Sequence, residues 1–241
     1  SIRDAFIARD GWEILSVDYS QIELRVLAHL SHDGELLDAY QHSADVHART
    51  ARAIFGVAEH AVTREMRAQA KTVNFAVIYG QTQFALARNL GIERGEAARY
   101  IKAFFEQYAG VAEYMDKVVV DATESGEVRT LCGRVRRLPD LRSRDRVARQ
   151  AAERVARNTP IQGSAADIIK LAMIAIHADL QQRKLHSKML LTVHDELVFE
   201  APPDERETLE ALVCDRMEHA LALDVPLVAD KGWGKSWGQA H

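Results

Sequence analysis

Lys188-Met189-Leu190-Leu191-Thr192-Val193-His194-Asp195-Glu196-Leu197-Val198-Phe199-Glu200-Ala201 reads as a β-hairpin. Two apolar, β-prone runs flank His194-Asp195, and Pro202-Pro203 ends the second. Asp is common in turns for backbone reasons, so Asp195 alone signals only a turn. Far upstream, Trp12 to Val17 reads as a buried strand entered through Gly11, and it runs into Asp18-Tyr19-Ser20-Gln21-Ile22-Glu23-Leu24-Arg25. A helix is predicted from about Ser20 to Leu30, with Ser20 and Glu23 at the spacing of a capping box. Asp18 could serve merely to cap that helix. Both strands are apolar enough to share one sheet, however. Adjacent buried carboxylates repel unless a counter-charge is supplied. If folding joins Asp18 and Asp195, they can hold divalent cations suited to phosphoryl transfer. Glu196 is a third candidate, although strand alternation can turn it to the opposite face.

The rest of the layout follows from this pair. From Glu35 to about Ser125 the pattern is helical, with Gly56, Gly80, Gly91, Gly95 and Gly110 as expected breaks. A small hairpin is predicted over Glu127–Leu138. Next comes an Arg-rich helix over Ser143–Arg157, stopped by Pro160, and an amphipathic helix over Gln162–Arg183. After the hairpin a helix is expected over Asp204–Leu221 and a short strand over Val225–Ala229. The ends thus form one α+β unit, with an α-helical lobe inserted between them.

Within that lobe Arg67, Lys71, Phe75 and Tyr79 recur every four residues. Each step drifts by about 40° around a helix, so they form one stripe, cations first and aromatics last. That order suits a nucleoside triphosphate, with phosphates at the cations and the base against an aromatic ring. The structural alternative puts Phe75, Ile78 and Tyr79 in a core. Arg154, Asn158 and Gln162 repeat the four-residue spacing, with Pro160 between. Arg can bind phosphate, and Asn and Gln can reach minor-groove acceptors.

Composition sets the frame. The 241 residues are 47% hydrophobic and 27% charged, ordinary for a soluble globular protein. Cys132 and Cys214 alone make a disulfide framework improbable, and no secretory core opens the sequence. A cytoplasmic, non-membrane protein is expected, nucleoid-associated if bacterial. Net charge is −4, yet Arg129 to Arg157 holds ten Arg against Asp140, Asp145 and Glu153. Such a stretch can neutralise phosphates, or form an ordinary solvated face.

Asp18-Tyr19-Ser20-Gln21-Ile22-Glu23-Leu24-Arg25, Arg67-x3-Lys71-x3-Phe75-x3-Tyr79-Gly80 and His194-Asp195-Glu196 closely resemble, in order and spacing, the motifs of family A DNA polymerases. Asn158 to Asp167 adds to the likeness, which runs from Ile2 to His241. The resemblance implies an α+β fold with an antiparallel palm sheet and an inserted all-α fingers subdomain. It places palm at 1–34 and 143–241 and fingers at 35–142. No thumb is expected, so the isolated fragment would grip DNA weakly and be weakly active.

The implied function is template-directed addition of deoxynucleotides to a primer 3′-hydroxyl, with two Mg²⁺ ions (Mn²⁺ as substitute) and release of pyrophosphate. Asp18, Asp195 and the Tyr19 carbonyl would be the metal ligands, and Glu196 would lie near them as a further catalytic group. Gln21, His47, Arg67 and Lys71 would contact the incoming phosphates, with Lys71 also the general acid for pyrophosphate. Glu23 would crowd the sugar 2′ position. Phe75 stands where some relatives carry Tyr, and Tyr79 would stack near the templating base. Arg154, Asn158, Gln162 and His194 would face the primer-template duplex. The implied partners are that duplex and deoxynucleoside triphosphates, bound by a monomer. Two other readings compete: a two-metal phosphodiesterase, which has no use for the Arg67–Tyr79 stripe, and a non-catalytic nucleic-acid-binding fragment, which has no use for metal carboxylates.

Overall fold

The computed structural model describes residues 2–241. They form two compact units, residues 2–22 with 165–241, and Glu23–Ser164.

The first unit is built on a four-stranded antiparallel sheet. Strand β1 (Glu13–Tyr19) pairs on one side with β5 (Glu196–Ala201) and on the other with β6 (Ala229–Gly234). β4 (Lys188–Val193) closes the outer edge of β5. Every residue of β5 is buried, as expected for an apolar run inside a sheet, whereas edge strand β4 alternates exposed and half-buried positions. The predicted hairpin is therefore present with the predicted ends. The last strand is not where the sequence pattern put it. Val225–Ala229 is mostly loop, and the strand begins at Ala229.

Two glycines explain how the C-terminus packs. Gly232 and Gly234 lie on one face of β6, and a Cβ on either would collide with the backbone of Gln239 or Ala240. Their bareness seats the short helix Trp237–Ala240 directly on the sheet, where Trp237 and Ala240 join Ile14 and Val198 in a small core. A longer helix, Arg206–Glu218, packs against β1 and β6. The Tyr19 hydroxyl donates to the Met217 carbonyl at 2.7 Å.

The second unit is helical. Its elements in chain order are α1 (Ile22–Ser31), α2 (Gly34–Gln41), α3 (Val46–Phe55), α4 (Arg64–Ile78), α5 (Gln83–Leu90), α6 (Arg94–Gln107) and α7 (Ala109–Ser125). α1 starts at Ile22, after Gln21 at a φ of 56°, so Ser20 lies outside the cap position that a capping box requires. Gly56, Gly80 and Gly91 do end helices, each at positive φ. Gly95 and Gly110 instead lie in the first turns of α6 and α7. Gly110 is there for close approach: its N–H donates to Asp33 at 2.8 Å, and a Cβ would sit 2.9 Å from the Asp33 Cα. The small hairpin is present as β2 (Glu127–Arg129) and β3 (Val135–Arg137).

Pro160 does not stop a helix. One helix, α8, runs continuously over Arg146–Gln182, belonging to the helical unit up to Ser164 and to the sheet unit from Ala165. Proline removes one backbone donor, a loss that well-packed flanks can outweigh. Ala156, Ile161 and Ser164 beside it are all fully buried, and Ser164 Oγ donates to the Pro160 carbonyl at 2.5 Å. An 18-residue stretch of α8 has a mean hydropathy of 1.2, enough by length and composition to cross a membrane. Its apolar face is spent inside the sheet unit, where Ile168, Ile169, Ala172 and Ile176 are buried. The helix Arg206–Glu218 is α9, tied to α8 by Arg216 Nε on Asp179 at 2.7 Å, and Trp237–Ala240 is α10.

Candidate active site

The predicted residues fall in two sets, one in each unit. In the sheet unit, the β1–β5 register pairs Asp18 with Glu196, and the β1–β6 register pairs it with Asp230. Three carboxylate residues therefore stand side by side across the sheet and project to one face. Asp195 sits at the turn between β4 and β5, where His194 adopts a left-handed φ of 55°. The Tyr19 N–H donates to the Asp195 carbonyl at 3.1 Å, fixing the turn against the end of β1. The two strand ends thus meet as the sequence pattern anticipates.

Burial raises the Asp18 carboxyl above its ordinary value, with the negative charges of Asp195, Asp230 and Glu196 adding to the rise. Asp195 is also raised, again chiefly by burial. Such a pair calls for a counter-cation. The donors on offer are hard oxygens, which fit Mg²⁺ rather than zinc. No group of three His, Cys, Asp or Glu side chains arranged to hold a metal exists among the described residues. Two carboxylates with remaining positions left to phosphate oxygens and water is the usual manner of Mg²⁺ binding.

Glu196 lies on the same face as Asp18, not the opposite one, but its carboxylate is held elsewhere. Ser16 Oγ and Trp237 Nε1 each donate to Oε1 at 2.5 Å. Arg3 lies 3.6 Å from Oε2. His194 is exposed beside Asp195, and Gln21 is half-buried just beyond β1.

In the helical unit, α4 carries the stripe. Thr63 caps its start, its side chain accepting from Met66 N–H at 3.2 Å. Ile78 is fully buried, Phe75 half-buried, and Lys71 and Tyr79 exposed. The core alternative therefore holds for Ile78 only. The Phe75 and Tyr79 rings stack with centroids 6.1 Å apart, and the His47 ring lies 6.3 Å from Phe75. Arg67 Nε donates to Asp45 at 2.5 Å. Asp45 caps α3 through Ala48 N–H, and these contacts hold its carboxyl low against burial, which acts to raise it. His47 is 2% exposed, and burial, aided by the Arg67 charge, pushes its imidazole down to about 4. Glu23, in the first turn of α1, has Oε2 buried.

The continuity of α8 puts Arg154, Asn158 and Gln162 on one face after all. Asn158 Nδ2 donates to the Tyr79 carbonyl at 3.2 Å, and a Cβ on Gly80 would lie 3.4 Å from Arg154 Cγ. Arg154 and Asn158 thus abut the aromatic end of the stripe, while Gln162 is exposed. Sequence reasoning missed Asp45, Asn74, Asp230, Ser16 and Trp237. Asp230 escaped because the last strand was placed too early. Asp45 carried a signal in its helix-cap position, but nothing in the pattern linked it to Arg67.

The carboxylates at the strand ends belong to the sheet unit, and the cationic and aromatic stripe of α4 belongs to the helical unit. The chain belongs to DNA polymerase family A, whose model matches residues 1–239. It is 52% identical over 240 residues to DNA polymerase I of Bacillus subtilis, covering 99% of this chain and 27% of that protein. It is 47% identical over 244 residues to DNA polymerase I of Pseudomonas aeruginosa, covering 26% of it. The structure superposes with a TM-score of 0.94 and 44% identity on the POL domain of Pol1 from M. smegmatis, solved with DNA primer-template and dNTP. That match covers 99% of this chain and 42% of the other. The chain thus spans about a quarter of the length of these curated relatives. The α+β fold read from the sequence, with an antiparallel sheet and a helical insertion, is the fold of that polymerase domain.

Proposed function

We propose that this chain forms the palm and fingers of a template-directed DNA polymerase, with palm at 1–34 and 143–241 and fingers at 35–142. The observation that carries the reading is the run of exposed Lys71, half-buried Phe75 and exposed Tyr79 along α4, in a family member that also joins Asp18 to Asp195. The M. smegmatis relative holding primer-template DNA and dNTP supports the same partners here.

Asp18, Asp195 and the Tyr19 carbonyl would hold two Mg²⁺ ions. When bound, these supply Lewis-acid activation of the primer 3′-hydroxyl and charge neutralisation on the triphosphate. The protein's own groups do the rest. Arg67 leaves or shares Asp45 to bind phosphate, so Asp45 keeps the guanidinium ordered between substrates. Lys71, exposed one turn further along, binds phosphate and gives a proton from Nζ to the departing pyrophosphate. Phe75 and Tyr79 present ring faces for the base and the template. Glu23 limits space at the sugar 2′ position. Arg154, Asn158, Gln162 and His194 line the duplex side, contacting phosphates and minor-groove acceptors.

Primer extension with Mg²⁺ and four deoxynucleotides tests this, with the segment set in a full-length family A polymerase. Extension is expected, and Asp195→Ala is expected to abolish it. Extension that survives in Asp195→Ala sinks the metal assignment. Hydrolysis of the primer without extension would favour the phosphodiesterase reading.

A further inference from the structure

His47 on α3 and Asn74 on α4 are buried against each other, Asn74 with no exposed surface at all. Asn74 Nδ2 lies 2.8 Å from His47 Nδ1. An amide NH₂ can only donate, so Nδ1 must meet it with a lone pair. A neutral imidazole carries a single ring proton, which is then on Nε2. The charged form is disfavoured at this position by burial and by the nearby cations Arg67 and Lys71, against the weaker pull of Asp45.

The other end of the amide is equally informative. Asn74 Oδ1 is buried and has no hydrogen-bond partner. An orphaned buried carbonyl is destabilising. Turning the amide over would give the carbonyl an Nδ1–H but would put the NH₂ where the carbonyl now has no partner, so the turned amide gains nothing overall. A residue retained here only to fill space could be a leucine of similar volume.

We propose that Asn74 is a positioning residue that locks His47 in the Nε2–H tautomer, so that a single uncharged donor is presented to the triphosphate of the incoming nucleotide. The inference rests on the assignment of His47 to the triphosphate site made above. Arg67 and Lys71 supply charge there, and the locked N–H adds direction, one donor for one phosphate oxygen.

Long-range ¹H–¹⁵N correlation on the chain labelled at histidine reads the tautomer directly. A bare Nδ1 and a protonated Nε2 are expected for His47 at neutral pH, and a protonated Nδ1 overturns the proposal. Asn74→Leu should let both tautomers populate and weaken binding of a deoxynucleoside triphosphate with Mg²⁺, by calorimetry, about three- to tenfold. Its melting temperature should change little, because the orphaned carbonyl is gone while the buried ring nitrogen loses its partner. A lower melting temperature with the tautomer unchanged would mean a purely structural residue and would overturn the lock. Should the leucine variant not fold, Asn74→Asp serves: a carboxylate can only accept, so Nδ1 must gain a proton, and an Nδ1 that stays bare refutes the contact. His47→Gln separates the two layers. Unchanged triphosphate affinity in that variant removes His47 from the nucleotide site, whatever its tautomer.

Discussion

Glu205 offers the sharpest quantitative test of how the hairpin that carries Asp195 is held. It follows β5, its side chain is 11% exposed, and it reaches back to the start of β4. It accepts from the backbone N–H of His186 at 2.7 Å, from the backbone N–H of Ser187 at 2.8 Å and from Ser187 Oγ at 2.6 Å. His186 Nδ1 lies at 3.0 Å. Burial raises its carboxyl, but these donors together outweigh burial and hold it at about 2, against an ordinary 4.5. A depression of that size corresponds to about 3 kcal/mol of preference for the ionised form. A second route gives a similar figure. Glu205→Gln keeps one oxygen but turns an NH₂ toward groups that are already donors, and an unsatisfied buried donor costs about 1–3 kcal/mol. The variant should therefore lose about 2–3 kcal/mol at pH 7, or about 5–10 °C in melting temperature.

The pH dependence has a definite sign. A depressed carboxyl stabilises fully above its unfolded value and loses that contribution as pH falls through the folded one. Urea unfolding of the two proteins should show the full gap above pH 4.5, shrinking as pH falls toward about 2. A gap under about 0.5 kcal/mol at pH 7, or one that does not change with pH, would refute the reasoning.

Other expectations concern the proposed chemistry. Glu23→Ala should raise ribonucleotide incorporation by about tenfold or more, since loss of a steric clash is worth a few kcal/mol, and unchanged sugar selectivity in single-turnover assays removes that role. Phe75 lacks the hydroxyl that could stand in for a missing 3′-OH, so the native chain should discriminate against dideoxynucleotides. Phe75→Tyr should relax that discrimination, and chain-termination patterns that stay the same refute the assignment. Asp18→Asn removes one of several repelling carboxylates and should raise the melting temperature without divalent ions while removing the stabilisation Mg²⁺ gives the native chain; equal Mg²⁺ stabilisation in both proteins would show that Asp18 holds no metal.

Much of this was legible in the chain because the relevant periods are short. Two apolar, β-prone runs around His194-Asp195, ended by Pro202-Pro203, located the hairpin over Lys188–Ala201, whose ends match the observed strands. Four-residue spacing placed Arg67, Lys71, Phe75 and Tyr79 on one stripe, as a rigid helix requires. Local rules failed where packing overruled propensity. Pro160 reads as a stop, yet buried neighbours on both sides carry α8 through it. Gly95 and Gly110 read as breaks, yet Gly110 serves a contact with Asp33.

What the sequence determined by itself is the hairpin, the helical character of the insertion and the chemical character of two motifs, since these depend on neighbours a few residues apart. Only the tertiary structure decided which carboxylates share a face, because strand register joins residues roughly two hundred positions apart: Asp18 with Glu196 and Asp230. It alone left Tyr79 exposed while Ile78, its chain neighbour, is buried. It alone set Asn74 against His47, a choice made where α3 packs on α4 and beyond the reach of any pattern along a single helix.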